Sequence, residues 1–189
     1  MTYTIGYGIT GSFCTLSASL GVVEKLTKAG HRVLPVLSFA AATMDTRFMK
    51  ASELKTRLET LTGNSVIETI QAAEPIGPKK LLDIMVVCPA TGNTLAKLAH
   101  GITDTPVTMA VKSHLRNGRP VLLAVSSNDA LGTNANNIAM LLNRKNIYIV
   151  PFRQDDCEGK PNSLISDFSL VPRAVDFAMQ GKLIQPLLI

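Results

Sequence analysis

The stretch Ile84-Met85-Val86-Val87-Cys88-Pro89-Ala90-Thr91-Gly92-Asn93-Thr94-Leu95-Ala96-Lys97-Leu98 decides the fold. Its apolar run, Ile84 to Cys88, predicts a short strand buried on both faces, the pattern of a parallel sheet. Pro89 and Gly92 are expected to end that strand, and Asn93 and Thr94 to open a helix carrying Leu95, Leu98 and Ala99. Strand, small polar loop and helix start together leave free backbone N–H groups above the strand ends. A capped strand-to-helix turn would use the same residues. Five small or polar residues in succession, Ala90 to Thr94, favour a binding loop.

Toward the N-terminus, Tyr3 to Tyr7 leans to a strand and stops at Gly8-Ile9-Thr10-Gly11-Ser12. Leu16, Leu20, Val23 and Leu26 follow at helical spacing, with Gly30 as the stop. His31 to Ser38 forms a second strand, and Pro35, lacking an N–H, places it at an edge or makes it irregular. Gly6-Tyr7-Gly8-Ile9-Thr10-Gly11 matches G-x-G-x-x-G, which also requires an acid at the end of the second strand for an adenosine ribose. Ser38-Phe39-Ala40-Ala41-Ala42 supplies none. The loop therefore suits a mononucleotide phosphate, with an N–H of Gly11 and the hydroxyl of Ser12 as donors at a helix start.

Toward the C-terminus, Ser52 is placed to cap a helix bearing Leu54, Leu58 and Leu61 that ends at Gly63. A short apolar segment, Val66 to Ile70, precedes a turn with Pro75, Gly77 and Pro78. A helix is expected over Thr105 to Asn117, and a strand over Val121 to Val125 that ends in Ser126-Ser127-Asn128-Asp129. A helix (Asn137 to Arg144), a strand (Ile147 to Val150), a polar loop (Pro151 to Ser163) and a last helix (Val171 to Met179) complete the chain. This β-α alternation predicts an α/β fold: a single doubly wound parallel sheet with right-handed crossovers, Rossmann-like or flavodoxin-like, in three α/β/α layers. Residues 1–189 read as one domain. Ligands of such sheets lie beyond the C-terminal strand ends, where four polar loops gather: Thr10 to Ser12, Ser38, Ala90 to Thr94, and Ser126 to Asn128.

Composition narrows the function. With 46% hydrophobic and 17% charged residues in 189, the chain can bury a sizeable core. The net charge of +5 is scattered and no aromatic residues interleave with it, so nucleic acid is not the expected partner. Three cysteines (Cys14, Cys88, Cys157) without a C-x-x-C, and three histidines apart from them, give neither a disulfide framework nor a metal site. Cys88 is expected in the core, Cys14 as a small packing residue, and His100 and His114 at a surface or interface. No apolar run reaches membrane-spanning length and the first residues have no signal-peptide pattern, so a cytoplasmic protein is expected.

The run Pro89-Ala90-Thr91-Gly92-Asn93-Thr94, with Gly101-Ile102-Thr103-Asp104 after it, resembles the Pro-Ala-Ser-Ala-Asn-Thr signature of the flavoprotein family, which includes flavin-dependent cysteine decarboxylases. The resemblance extends over nearly the whole chain. It implies FMN held by Gly11 and Ser12 at the phosphate with Ser38 nearby, by Ala90, Thr91, Gly92, Asn93 and Thr94 along the phosphate, ribityl chain or ring edge, and by Ser126 and Asn128 near the ring. It also implies a homo-oligomer, trimeric or dodecameric. The catalytic His and the Met-Asn substrate motif of the decarboxylases are absent, which argues against cysteine decarboxylation. Val150 to Leu164 and Ala124 to Leu131 are similar to one branch of the family, found in a two-component synthase of spore-forming bacteria. That branch implies oxidation of a dihydropyridine dicarboxylate, in company with a second component that resembles nicotinamide dehydrogenases.

Given such a substrate, Arg153 and Lys160 are the candidate carboxylate-binding charges. Asn162 and Ser163 could add hydrogen bonds, and Asp155 or Asp156 could accept a ring proton. A solvated loop is the competing reading of that segment. Two other readings stay open: a flavin-dependent decarboxylase or prenyltransferase, and a non-catalytic scaffold.

Overall fold

The computed structural model describes residues 1–189. Its strands are β1 (Thr4–Ile9), β2 (Arg32–Leu37), β3 (Ile84–Ala90), β4 (Val121–Ser127), β5 (Ile147–Ile149), β6 (Phe152–Asp156) and β7 (Lys160–Ser166). The helices are α1 (Leu16–Lys28), α2 (Phe39–Thr43), α3 (Ala51–Thr62), α4 (Ile70–Ala73), α5 (Gly92–Ala99), α6 (Pro106–Leu115), α7 (Asn134–Leu142) and α8 (Val171–Met179). They form one mostly parallel seven-stranded sheet in the order β2-β1-β3-β4-β7-β6, with β5 also on β4. This is the flavodoxin-like, Rossmann-like arrangement.

Residues of the central strands alternate between two cores. Ile84, Val86 and Cys88 of β3 and Leu122 and Ala124 of β4 pack under α1, α3 and α8. Met85, Val87 and Ala90, with Val121, Leu123 and Val125, pack under α5, α6 and α7. A strand covered on both faces has no polar side to show, which is why both read as continuous apolar runs.

The strand β3 continues through Pro89 to Ala90, so Pro89 does not end it; its register with β4 shifts between Val87 and Ala90. Pro35 lies in β2 at the sheet edge, as its missing N–H requires. Its carbonyl faces outward and accepts from Ile67 N–H at 2.9 Å, so the absent donor would have pointed away from β1. Helix α3 begins at Ala51, whose N–H is capped by Asp45 Oδ1 at 2.9 Å; Ser52 lies inside the helix instead of capping it.

The glycine fingerprint resolves differently from its sequence reading. Gly6 and Gly8 are inside β1, not in the loop after it. A Cβ on Gly8 would lie 3.0 Å from Met85 Cε and from Val107 Cγ1, and one on Gly6 would collide with Leu82 and Met85. Those two glycines admit neighbouring core side chains, and Gly11 alone belongs to the loop.

The segment Pro151 to Ser163, read as a polar loop, is mostly an antiparallel hairpin of β6 and β7. The strand β7 pairs antiparallel with the end of β4, Ser126 with Ile165 and Ser127 with Leu164, while β5 pairs with Val121 to Leu123 on the same side. Where β4 changes partner, the buried Ser166 hydroxyl fills the gap. It accepts from Val125 N–H (2.9 Å) and donates to Val150 O (3.0 Å).

Two placements expected from sequence are reversed. His114 is fully buried on α6 rather than at a surface; its Nε2 lies 3.1 Å from Pro120 O, and Nδ1 has no partner. Burial pushes its pKa down to about 4. Cys14 is exposed, not a packing residue. Cys88 is in the core as expected, with burial raising its thiol pKa to about 12.

Candidate functional site

A cleft of about 830 Å³ opens beyond the C-terminal ends of β1, β3 and β4. Its size suits a cofactor or small-molecule ligand, for which clefts of roughly 300–1,000 Å³ are usual. The floor comes from the three loops that leave those strands. The β6–β7 hairpin contributes one wall, through Asp155, Lys160 and Ser163, and the loop between α2 and α3 contributes another, through Arg47 and Phe48.

The loop after β1 turns on Ser12, whose N–H closes onto Thr10 O at 2.9 Å. Its hydroxyl lies 2.8 Å from the Ser126 hydroxyl, joining the β1 and β4 loops. The short 3₁₀ turn Phe13–Thr15 has no side-chain cap, so the N–H groups of Phe13 and Cys14 are unpaired beside the cleft. The donors at this loop are therefore the N–H groups of Gly11, Phe13 and Cys14 and the Ser12 hydroxyl, the Ser12 N–H being spent on Thr10.

The loop after β3 is tied to β1 by Thr10. The Thr10 hydroxyl donates to Pro89 O at 2.7 Å and accepts from Thr91 N–H at 3.0 Å. Thr91 occupies the N-cap of α5 but does not use its hydroxyl there; that oxygen lies 3.1 Å from the Thr94 hydroxyl instead. The first N–H groups of α5, beginning at Gly92 and Asn93, have no intrahelical acceptor and face the cleft uncapped. Gly92 is required sterically, because a Cβ there would lie 2.6 Å from Asn134 Nδ2 and 2.7 Å from Ser127 Oγ. Those neighbours are fixed in turn: Asn134 Nδ2 donates to Asp129 Oδ2 at 3.2 Å, and Asn137 Nδ2 donates to Asn134 Oδ1 at 3.0 Å.

Of the residues singled out from sequence, the cleft brings together Gly11, Ser12, Thr91, Gly92, Asn93, Ser126 and Asn128, with Lys160 and Ser163. Ser38, Ala90, Thr94, Arg153 and Asn162 do not line it. Ser38 is the N-cap of α2, accepting from Ala41 N–H at 3.3 Å. Ala90 is a buried strand residue, and Thr94 supports Thr91. Arg153 is exposed on β6, and the Asn162 carbonyl accepts from Leu131 N–H.

The cleft holds one pair of opposite charges within bonding distance, Lys160 Nζ to Asp155 Oδ2 at 3.0 Å. The Asp155 carboxylate raises the Lys160 pKa, so its ammonium stays charged. Sequence reading missed Arg47 and Phe48. The Arg47 guanidinium stacks over the Phe48 ring at 4.8 Å and has no carboxylate partner. The Thr46 hydroxyl fixes this turn, accepting from Phe48 N–H and donating to Met49 O. A capping pattern, Asp45 and Thr46 just before the α3 helix, was the one available signal. Chemically, the cleft is a floor of N–H groups and hydroxyls that can bind an anion, with the cations of Arg47 and Lys160 and the carboxylates of Asp155 and Asp129 around it, the latter held by Asn134.

The flavoprotein family model matches residues 1–168. The chain is 45% identical to the B subunit of dipicolinate synthase from Bacillus subtilis over 185 residues, covering 98% of this chain and 92% of that one. It superposes on the crystal structure of the corresponding B subunit from Bacillus halodurans with a TM-score of 0.91 at 42% identity, over 99% of this chain and 96% of that one. An FMN-dependent cysteine decarboxylase, SpaF, shares the fold with a TM-score of 0.67 at 22% identity, over 93% of this chain and 96% of that one. The chain belongs to the flavoprotein family.

Proposed function

We propose that the chain is the FMN-binding subunit of a dipicolinate synthase, working with that enzyme's A subunit to oxidise a dihydrodipicolinate-type precursor to dipicolinate. The observation that carries the reading is the uncapped start of α5 at Gly92 and Asn93, facing the unpaired N–H groups of Phe13 and Cys14 across the cleft. Such a set of donors fits a phosphate dianion, and the missing acid after β2 fits a mononucleotide. The likeness to the B subunits of two Bacillus species supports the same reading, and with it a cytoplasmic place in the mother cell of a spore former.

In this reading Gly11, Ser12, Thr91, Gly92 and Asn93 hold the phosphate and ribityl chain, and Ser126 and Asn128 approach the ring. When bound, the flavin supplies a two-electron acceptor for the hydride leaving the dihydropyridine ring. Lys160 and Arg47 take the two carboxylates of the substrate, Arg47 through the planar fork suited to them. Ser163 adds a hydrogen bond to the same group as Lys160. Asp155 accepts the ring proton released on aromatisation in this reading. Ser38 and Thr94 act behind this layer, by fixing α2 and Thr91. Arg153 and Asn162, outside the cleft, are assigned to the hairpin's contact with the A subunit, or with a second copy in a trimeric or dodecameric assembly.

The test is the visible absorption spectrum of the purified protein, then heat release and identification of the flavin. FMN that bleaches on adding the dihydropyridine dicarboxylate is the expected result. A colourless protein that takes up no added FMN would remove the cofactor and leave a scaffold role.

A further inference from the structure

At the opposite edge of the sheet, where β4 and β5 begin, lies a second pocket of about 560 Å³. It is formed where α5, α6 and α7 end. Leu98, Val111 and Ile147 give it an apolar floor, and Lys112, Arg116, Arg144 and Lys145 surround it. No aspartate or glutamate lines it. None of the four cations forms an ion pair, although six other cations of the chain do. The Arg144 guanidinium is fixed by donating to Leu98 O at 2.7 Å.

Cations commonly sit at helix C-termini because the macrodipole favours them. Each helix end carries roughly −0.5 of a charge, so three ends offset about −1.5 against four positive side chains. The pocket keeps a clear positive surplus, and an apolar floor beneath it does not serve the helix ends at all.

We propose that this pocket is a binding site, separate from the cleft, for a phosphate-bearing small molecule of nucleotide size. Its phosphates meet Lys112, Arg116 and Lys145, and its ring system covers Leu98, Val111 and Ile147. The charge selects against a dicarboxylate, which would leave about half of the cations unanswered, and the volume falls within the range of roughly 300–1,000 Å³ typical of ligand pockets.

The experiment is calorimetric titration of the intact protein with ADP in the presence of excess FMN, which keeps the probe out of the cleft. Arg116→Glu and Lys145→Glu are the variants, since neither side chain makes a hydrogen bond or ion pair that folding would lose. ADP should bind, adenosine should not, and each variant should weaken ADP at least about 10-fold, as expected for a lost charge-assisted contact, with flavin content unchanged. Absence of ADP binding, or ADP binding indifferent to both substitutions, would overturn the proposal. So would weakened association with the A subunit in the variants of a protein that does not bind ADP, because the cations would then serve a protein partner.

Discussion

Replacing Gly92 with alanine tests how closely the α5 start is built. The new Cβ would lie 2.6 Å from Asn134 Nδ2 and 2.7 Å from Ser127 Oγ, well inside the ~3.5–4.0 Å optimum for non-bonded heavy atoms. Both obstacles are side-chain ends, but Asn134 is held by Asp129 and Asn137, so it cannot retreat without losing a hydrogen bond. Overpacking of this kind costs about 1–3 kcal/mol, and the lost freedom of glycine in the unfolded chain returns about 0.4–1 kcal/mol. The net loss is about 1–2 kcal/mol, or about 3–6 °C in Tm for a chain of this size. Flavin affinity should suffer more, by about 10-fold or beyond, because displaced N–H groups weaken charge-assisted bonds of about 1.5–3 kcal/mol. Thermal unfolding followed by circular dichroism gives the first quantity, and quenching of FMN fluorescence gives the second. Gly21→Ala is the control: nothing lies within 4 Å of its Cβ position in α1, so it should stabilise. Wild-type Tm and wild-type FMN affinity in Gly92→Ala would refute the steric argument.

Three further outcomes are expected. His114 binds a proton at about 4 when folded and near 6.5 when unfolded, so its contribution is present above 6.5 and lost as pH falls toward 4. Urea titrations should find wild type losing about 3 kcal/mol more than His114→Gln across that window. Ser166→Ala strands Val125 N–H and Val150 O without their partner and should lower unfolding free energy by about 2–4 kcal/mol in the same assay. In native protein, a thiol reagent should label Cys14 and Cys157 readily and Cys88 only after denaturation, with FMN slowing Cys14 alone, since only that thiol lines the cleft.

The parts of the fold that sequence disclosed are those where one local pattern had one structural meaning. Ile84 to Cys88 is apolar at every position because β3 is covered on both faces, and α8 spans Val171–Met179 as its spacing indicates. The hairpin was illegible because Arg153 to Asp156 are exposed on both sides, leaving no alternation to read. The Gly6-Tyr7-Gly8 fingerprint misled because glycine admits a neighbour's side chain as readily as a phosphate. Within the cleft, the residues on the strand-end loops were foreseeable from the sheet rule. Arg47 was not, since it reaches the cleft from a loop between two helices whose course no periodicity describes.

The way β7 joins the sheet has a consequence for how the protein is made. Strand β4 is half paired by β5, but its last two residues, beside the cleft, wait for Leu164 and Ile165. Domains generally fold as units, and until the hairpin has been made that end of β4 is an open edge in the growing chain. The cleft gains its Lys160 wall only after the hairpin has left the ribosome, well behind the loops of the floor. Any ligand that needs the Lys160 wall can be held only late in synthesis, and the exposed edge of β4 is the part of the growing chain most in need of protection until then.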